Sequence, residues 1–175
     1  MSDLTTLYER NAEFAEAFDQ GDLGIKPNIM TIVLTCVDAR MNPAAFLGLG
    51  LGDALVIRNV GGRVTDTSAR EVSILFELMK LGAGGAAPTL GLAVIQHTDC
   101  GMAKFAAPHI AEAITEVFGT TDVVDTYAIH DLRDSVTNDV TKALGAVPAG
   151  MSVSGHVYDV TTGRLEEIVP PAVAG

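Results

Sequence analysis

Tryptophan is absent from this sequence, and aromatic residues make up only 5% of it. Core volume must therefore come from aliphatic side chains, and a chain of 175 residues that is 48% apolar is long enough to bury a core. We expect a single domain that spans residues 1–175. The apolar and charged fractions exclude a disordered tail and a coiled coil.

Basic residues are also scarce. Lys and Arg number 11 against 22 Asp and Glu, which gives a net charge of −11. Proteins that bind nucleic acid usually carry a basic patch, so this balance argues against a nucleic-acid partner. No apolar run approaches the ~20 residues of a membrane helix, and the N-terminus has acidic residues where a signal peptide has an apolar run. We therefore expect a cytoplasmic protein with no membrane partner.

Only two cysteines are present, Cys36 and Cys100. They could form one disulfide, but isolated disulfides are uncommon in cytosolic proteins. In the cytosol, spaced cysteines more often bind a metal or take part in catalysis. The two thiols are therefore the first candidates for a functional site.

Apolar, β-branched runs alternate with helical periodicity along the chain. Buried strands are predicted over 29–35, 54–60 and 90–96, and helices over 2–18, 66–82, 108–119 and 131–146. Apolar residues nearly encircle the helix over 66–82, so we expect it to be well buried. The tail, 151–169, alternates like an antiparallel hairpin. This order predicts an α/β fold with a mainly parallel central sheet flanked by helices.

Metal-binding side chains follow two of the predicted strands. Cys36 comes directly after the first strand, and His97 and Cys100 come after the third. Ligands bind beyond the carboxyl ends of strands in open α/β sheets, and two thiolates with one imidazole are a familiar zinc set. Taken alone, Cys36 would be a small buried hydrophobe. A structural zinc site would need a fourth protein ligand, for which only Asp38 or another group is at hand.

Asp38 and Arg40 lie two positions apart, so in an extended stretch their side chains point the same way. An Arg beside a carboxylate forms a charge-assisted, often bidentate pair and keeps the acid ionised. An ionised Asp38 can hold the proton of a zinc-bound hydroxide, so that a lone pair faces the substrate. The alternative is a surface ion pair, which is common and weak.

The segments CVDAR (36–40) and HTDCG (97–101) resemble the Cys-x-Asp-x-Arg and His-x-x-Cys signatures of β-class carbonic anhydrases. GDALVIRNVGG and GHVYDVTTGRL are similar to further parts of that family. The resemblance implies one Zn²⁺ per chain on Cys36, His97 and Cys100, and a catalytic pair formed by Asp38 and Arg40. It also implies that Asp38 can take the fourth metal position in a closed, inactive state. The expected activity is that of a lyase, the reversible hydration of CO2 to bicarbonate.

The resemblance further implies a homodimer, homotetramer or larger assembly whose N-terminal helix packs on a neighbouring subunit. The apolar face of that helix, formed by Leu4, Leu7, Phe14 and Phe18, suits this role, although packing on its own domain explains it nearly as well. Hydrolysis of CS2 or COS at the same site and a non-catalytic zinc or bicarbonate sensor stay open as alternatives. A nucleotide binder is less favoured, because no Gly-x-Gly-x-x-Gly follows a predicted strand.

Several residues at the end of the second predicted strand and directly after it have two interpretations each. Arg58 either braces the first motif or takes part in a subunit contact. Asn59, Gly61 and Gly62 either shape the pocket or only make the turn after the strand.

Overall fold

The structure, a computed structural model, describes residues 4–175. Within that range, five strands form one sheet in the order β2-β1-β3-β4-β5. The strands are β1 (Thr31–Cys36), β2 (Leu55–Asn59), β3 (Gly91–His97), β4 (Ser152–Tyr158) and β5 (Leu165–Val173). β1, β2, β3 and β4 run parallel to one another, and β5 pairs antiparallel with β4. The predicted α/β fold, with a mainly parallel sheet and an antiparallel C-terminal pair, is confirmed.

Helices connect the strands. In the described residues they are α1 (Thr5–Glu16), α2 (Pro43–Leu47), α3 (Asp66–Gly82), α4 (Pro108–Phe118), α5 (Asp122–Tyr127) and α6 (Leu132–Ala146), with 3₁₀ helices at Val60–Gly62 and Gly101–Ala106. α3 has the predicted bounds because Thr65 caps it: its hydroxyl accepts a hydrogen bond from the Ser68 N–H at 3.1 Å. The sequence pattern predicted no helix at α5.

Several element boundaries differ from the predicted ones, among them those of α1 and β1. α1 begins at Thr5 and ends at Glu16, within the predicted helix over 2–18, of which residues 2 and 3 lie outside the described residues. β1 begins at Thr31 because Met30 has a φ of 49°, in the left-handed region, which interrupts the extended conformation. β1 also extends to Cys36, so this cysteine is the last residue of the strand.

The main core lies between one face of the sheet and helices α3 and α6. Its largest contributors include Ile32, Leu34, Val72, Phe76, Val94 and Val140. Gly155 of β4 allows α6 to approach the sheet, because a Cβ there would lie 2.6 Å from the Val136 side chain and 2.7 Å from that of Val140. This packing holds α6 against β3 and β4.

Two apolar helix faces remain exposed. The prediction that α3 is well buried holds for one face only, since Leu78 and Leu81 on its outer face are 58% and 73% exposed. None of the residues of α1, all of which the structure describes, is buried. Across residues 4–175, no helix is long and apolar enough to cross a lipid bilayer.

Candidate metal centre

The two cysteine-bearing segments meet at the carboxyl edge of the sheet. β1 and β3 are hydrogen-bonded neighbours, Cys36 ends β1, and His97 ends β3. Cys100 follows His97 after a tight turn. The two sulfur atoms and a ring nitrogen of His97 all lie within 4.8 Å of one another. The fold therefore brings together the three residues that the sequence pattern predicted as metal ligands.

These three side chains fit a zinc ion. All are buried, and both cysteines are free. Among the described residues, His97 Nε2 has no hydrogen-bond partner, and an unsatisfied buried group of this kind costs about 1–3 kcal/mol. His97 Nδ1 lies 2.9 Å from the Thr98 carbonyl oxygen, and a donating Nδ1–H leaves Nε2 with a lone pair. Two sulfur atoms and one imidazole nitrogen are a donor set that zinc prefers.

The surroundings of Cys36 favour its thiolate. The adjacent Cys100 thiol lowers the pKa of Cys36 and outweighs burial, which raises it. His97 and the backbone N–H groups of Asp38 and Gly61 lower that pKa further, and the Asp38 N–H lies 3.4 Å from the sulfur. The Cys36 sulfur is thus suited to bind a metal ion at the end of β1.

The same contact acts on Cys100 in the opposite direction. The neighbouring Cys36 sulfur raises the pKa of Cys100, and burial raises it further. The N–H of Met102, in the 3₁₀ helix that begins at Gly101, lowers that pKa, but the two other effects are larger. Without a metal ion, the two sulfur atoms therefore favour one thiolate and one thiol.

Asp38 and Arg40 form a bidentate pair. Arg40 Nε donates to Asp38 Oδ1 at 3.0 Å, Nη2 donates to Oδ2 at 2.8 Å, and the Arg40 backbone N–H donates to Oδ1 at 2.9 Å. These bonds hold the pKa of Asp38 well below its usual range, so the carboxylate is ionised. Asp38 Oδ2 lies 3.9 Å from His97 Nε2. The carboxylate is therefore turned to Arg40 and also borders the cysteine–histidine cluster.

Arg40 also binds Asp99, which the sequence pattern did not indicate. Arg40 Nη1 donates to Asp99 Oδ2 at 2.8 Å, and Nη2 donates to the Asp99 carbonyl oxygen at 3.0 Å. Asp99 has a φ of 54°, in the left-handed region that non-glycine residues seldom adopt. The one available signal was its position between His97 and Cys100. Arg40 thus links the two segments that carry the cluster.

The end of β2 and the turn that follows it both contact the segment that begins at Cys36. Arg58 braces the first motif, as one of its two interpretations predicted: its Nε donates to the Cys36 carbonyl oxygen at 3.0 Å and its Nη2 to that of Asp38 at 2.7 Å. Gly62 has a φ of 65°, and a Cβ there would lie 2.9 Å from the Cys36 nitrogen. These residues therefore do more than reverse the chain.

Comparison with known proteins identifies the family. A family model described as carbonic anhydrase matches residues 31–135. Beta-carbonic anhydrase 1 of Mycobacterium tuberculosis is 31% identical over 166 residues, which cover 91% of this chain and 94% of that protein. The crystal structure of carbonic anhydrase from Streptococcus mutans superposes with a TM-score of 0.79 and 31% identity, covering 96% of this chain and 98% of that one. Carbon disulfide hydrolase of an Acidianus species is 29% identical, over 82% of this chain and 79% of that protein.

The chain belongs to the β-class carbonic anhydrase family. This membership confirms the resemblance that CVDAR and HTDCG indicated, and it extends over most of the chain. The cluster of Cys36, His97 and Cys100 is typical of the zinc site of this family.

Proposed function

We propose that this protein catalyses the reversible hydration of CO2 to bicarbonate, with one zinc ion per chain held by Cys36, His97 and Cys100. The observation that carries the proposal is the buried cluster of these three ligands beside an ionised Asp38, whose Oδ2 lies 3.9 Å from His97 Nε2. Zinc, when bound, acts as a Lewis acid that lowers the pKa of water and supplies a nucleophile near neutral pH.

Asp38 directs the attack through its charge. Because Arg40 keeps the Asp38 carboxylate ionised, its oxygens can only accept hydrogen bonds. A hydroxide beside Asp38 must point its single proton at this carboxylate, which turns a lone pair towards the carbon of CO2. A new bond between that oxygen and the carbon gives bicarbonate, and the proton released from water passes to solvent.

Asp38 has a second role in the proposal. In a closed, inactive state it would leave Arg40 and take the fourth metal position. The hydrogen bonds from the Arg40 side chain and backbone to Asp38, at 2.8 to 3.0 Å, favour an open arrangement, in which Asp38 stays on Arg40 and leaves the fourth metal position free. The contacts of Arg40 with Asp99 support the same orientation of the guanidinium group.

Stopped-flow measurement of CO2 hydration, with zinc content determined on the same samples, tests the proposal. Asp38→Asn keeps the shape of the side chain but removes its charge, and we expect a loss of about 100-fold or more in rate. Asp66→Asn is the matched control, since Asp66 is an exposed acid of α3 that pairs with Lys142 at 2.8 Å. Wild-type protein that holds one zinc per chain but does not hydrate CO2 at alkaline pH would refute the proposal.

Hydrolysis of CS2 or COS is the second candidate, and the 29% identity to a carbon disulfide hydrolase favours it. The mycobacterial relative has higher identity and coverage, which supports CO2 as the substrate. Release of hydrogen sulfide from CS2 by the same preparation separates the two activities. Zinc-loaded protein with neither activity would favour a zinc or bicarbonate sensor, which the ionised Asp38–Arg40 pair argues against.

We also propose a homodimer or larger homo-oligomer in which α1 packs on a neighbouring subunit. The apolar side chains of α1 and its flanks are exposed: Leu4 and Leu7 by 60%, Phe14 by 55% and Phe18 by 45%. An exposed apolar surface of this kind marks an interaction site. Light scattering should give a wild-type mass of at least two 18.2 kDa chains and a lower mass for Leu7→Lys. Glu9→Lys, on the same helix, is the control; a monomeric wild type would contradict this proposal.

A further inference from the structure

A buried polar network lies next to the metal centre. Asp139 of α6 is 3% exposed, and Gln96 of β3 is fully buried. The Asp139 carboxylate accepts hydrogen bonds from Arg63 Nε at 2.8 Å, Arg63 Nη2 at 3.2 Å, Gln96 Nε2 at 2.8 Å and the Val64 N–H at 3.1 Å. The side chains of Arg63, Gln96 and Asp139 are called the Asp139 network below.

The network is connected to both segments that carry metal ligands. On one side, Gln96 directly precedes His97 in β3. On the other side, Arg63 directly follows Gly62, whose Cβ position lies 2.9 Å from the Cys36 nitrogen. The carboxylate on α6 therefore ties the end of β3 to the turn that packs against the end of β1.

Further bonds make this connection rigid. The Asn59 side chain accepts from the Arg63 N–H at 2.8 Å and donates to the Arg63 carbonyl oxygen at 2.7 Å. Arg63 Nη1 donates to the Ala128 carbonyl oxygen at 2.9 Å. The backbone and the side chain of Arg63 are thus both held, so a shift of its guanidinium group moves the turn as well.

Stability alone does not account for the network. A buried ion pair is often replaced by apolar residues of similar volume with no loss of stability. Gln96 Oε1 is buried and accepts no hydrogen bond from the residues that the structure describes, which is itself unfavourable. Apolar side chains of similar volume could fill most of this space, so the fixed directions of the polar contacts are the feature to explain.

We propose that Arg63, Gln96 and Asp139 are positioning residues for the metal centre. They hold the turn after β2 and the end of β3 at the separation that brings Cys36 and His97 to a single ion. This inference rests on the zinc site proposed above. Outer groups that orient metal ligands typically change metal affinity by about 10- to 100-fold, and we expect the low end of that range here.

Two variants of the Arg63–Asp139 ion pair test whether it positions the metal ligands or only stabilises the fold. Asp139→Asn leaves the Arg63 guanidinium buried without a counter-charge. The double variant Arg63→Met/Asp139→Leu replaces both charges by apolar side chains, which preserves packing but not the directed contacts. The control is Arg133→Met/Glu166→Leu, which removes the exposed ion pair between α6 and β5.

The measurements are Zn²⁺ affinity by chelator competition, the absorption spectrum of the Co²⁺-substituted protein, and the urea midpoint of unfolding. We expect the Arg63→Met/Asp139→Leu variant to stay folded with a lowered urea midpoint, because the buried Val64 N–H and Gln96 amide lose their acceptor. It should bind Zn²⁺ about tenfold more weakly and show a changed cobalt spectrum. The control should match the wild type in affinity and spectrum. Wild-type affinity and an unchanged cobalt spectrum in the double variant would overturn the inference, whatever its rate of CO2 hydration.

Gln96→Met gives a second test if the charge variants do not fold. It removes one hydrogen bond to Asp139 and the unsatisfied Oε1 while the ion pair stays in place. We expect weaker Zn²⁺ binding without a lower urea midpoint, and unchanged Zn²⁺ binding would contradict the inference. A wild-type protein that binds no Zn²⁺ would overturn the proposed metal site and this inference together.

Discussion

Alanine at Gly62 places a methyl group against the two strands that carry the proposed metal ligands Cys36 and His97. Its Cβ would lie 2.9 Å from the Cys36 nitrogen, 3.1 Å from the Thr35 carbonyl carbon and 3.2 Å from the Ile95 carbonyl oxygen. All three are backbone atoms of β1 and β3, so they cannot turn aside as the end of a flexible side chain can. The substitution must therefore move the turn, the strand ends, or both.

Two effects add in this variant. A residue with a Cβ in the left-handed region is less favourable by about 1–2 kcal/mol, and Gly62 has a φ of 65°. Overpacking against fixed neighbours costs about 1–3 kcal/mol more. We expect Gly62→Ala to lower the free energy of unfolding by about 2–5 kcal/mol, or the melting temperature by about 4 °C or more. Because the nearest atom belongs to Cys36, zinc affinity should fall as well.

Gly119→Ala is the matched control. Gly119 ends α4 with a φ of 68°, and a Cβ there would meet nothing within 4 Å. It should lose only about 1–2 kcal/mol and keep the zinc affinity of the wild type. Thermal unfolding and chelator competition on the three proteins give both quantities. Equal losses of stability with unchanged zinc affinity in both variants would refute the packing argument.

Two further predictions concern pH. Arg40→Met removes the side-chain hydrogen bonds that contribute most to the low pKa of Asp38, while the bond from the backbone N–H of residue 40 stays, so this pKa should rise part of the way towards the ordinary value of about 3.9. A lowered carboxyl pKa stabilises the fold above the unfolded-state pKa and ceases to do so as pH falls through the folded-state pKa. The urea midpoints of wild type and Arg40→Met should therefore differ most above about pH 4 and converge in more acid solution; a constant difference would contradict this. The rate of CO2 hydration should increase as the pH rises above neutral, because two thiolates cancel the formal charge of Zn²⁺. The ion then lowers the pKa of water less strongly. Equal rates of CO2 hydration between about pH 6 and 9 would count against the proposed carbonic anhydrase activity.

Elements with a strong local signal were predictable. α3 has a capping Thr65, a run of apolar residues and a terminal Gly82, and its observed bounds match the predicted ones. Buried strands interleaved with helices predicted parallel neighbours, and that topology alone places Cys36 and His97 at adjacent strand ends. The metal cluster could therefore be inferred from topology and residue type.

Contacts between distant polar residues could not be inferred in this way. Asp139 is 76 positions from Arg63 and 43 positions from Gln96 along the chain. Their pairing depends on how α6 packs against the sheet, and no local pattern of residues reports that packing. Asp99 could not be distinguished from an ordinary loop residue for the same reason. Its carboxylate accepts a hydrogen bond from Arg40, which lies 59 positions away along the chain.

The sequence also does not show whether an apolar helix face is buried within its own chain. Leu78 and Leu81 of α3 are as apolar as Val72 and Phe76 of the same helix, yet the first two are exposed and the last two are buried. A sequence pattern identifies such an apolar surface, whose exposure to water is unfavourable. It does not say whether the cover comes from the same chain or from a neighbouring subunit.

Zinc K-edge X-ray absorption on the purified protein tests the central claim most directly. We expect two sulfur ligands at about 2.3 Å and one histidine nitrogen at about 2.0–2.1 Å, completed by an oxygen ligand. Cys100→Ser, if it retains zinc, should show one sulfur fewer. A protein that holds no zinc, or zinc whose shell contains no sulfur, would contradict the assignment of Cys36, His97 and Cys100 as the metal ligands.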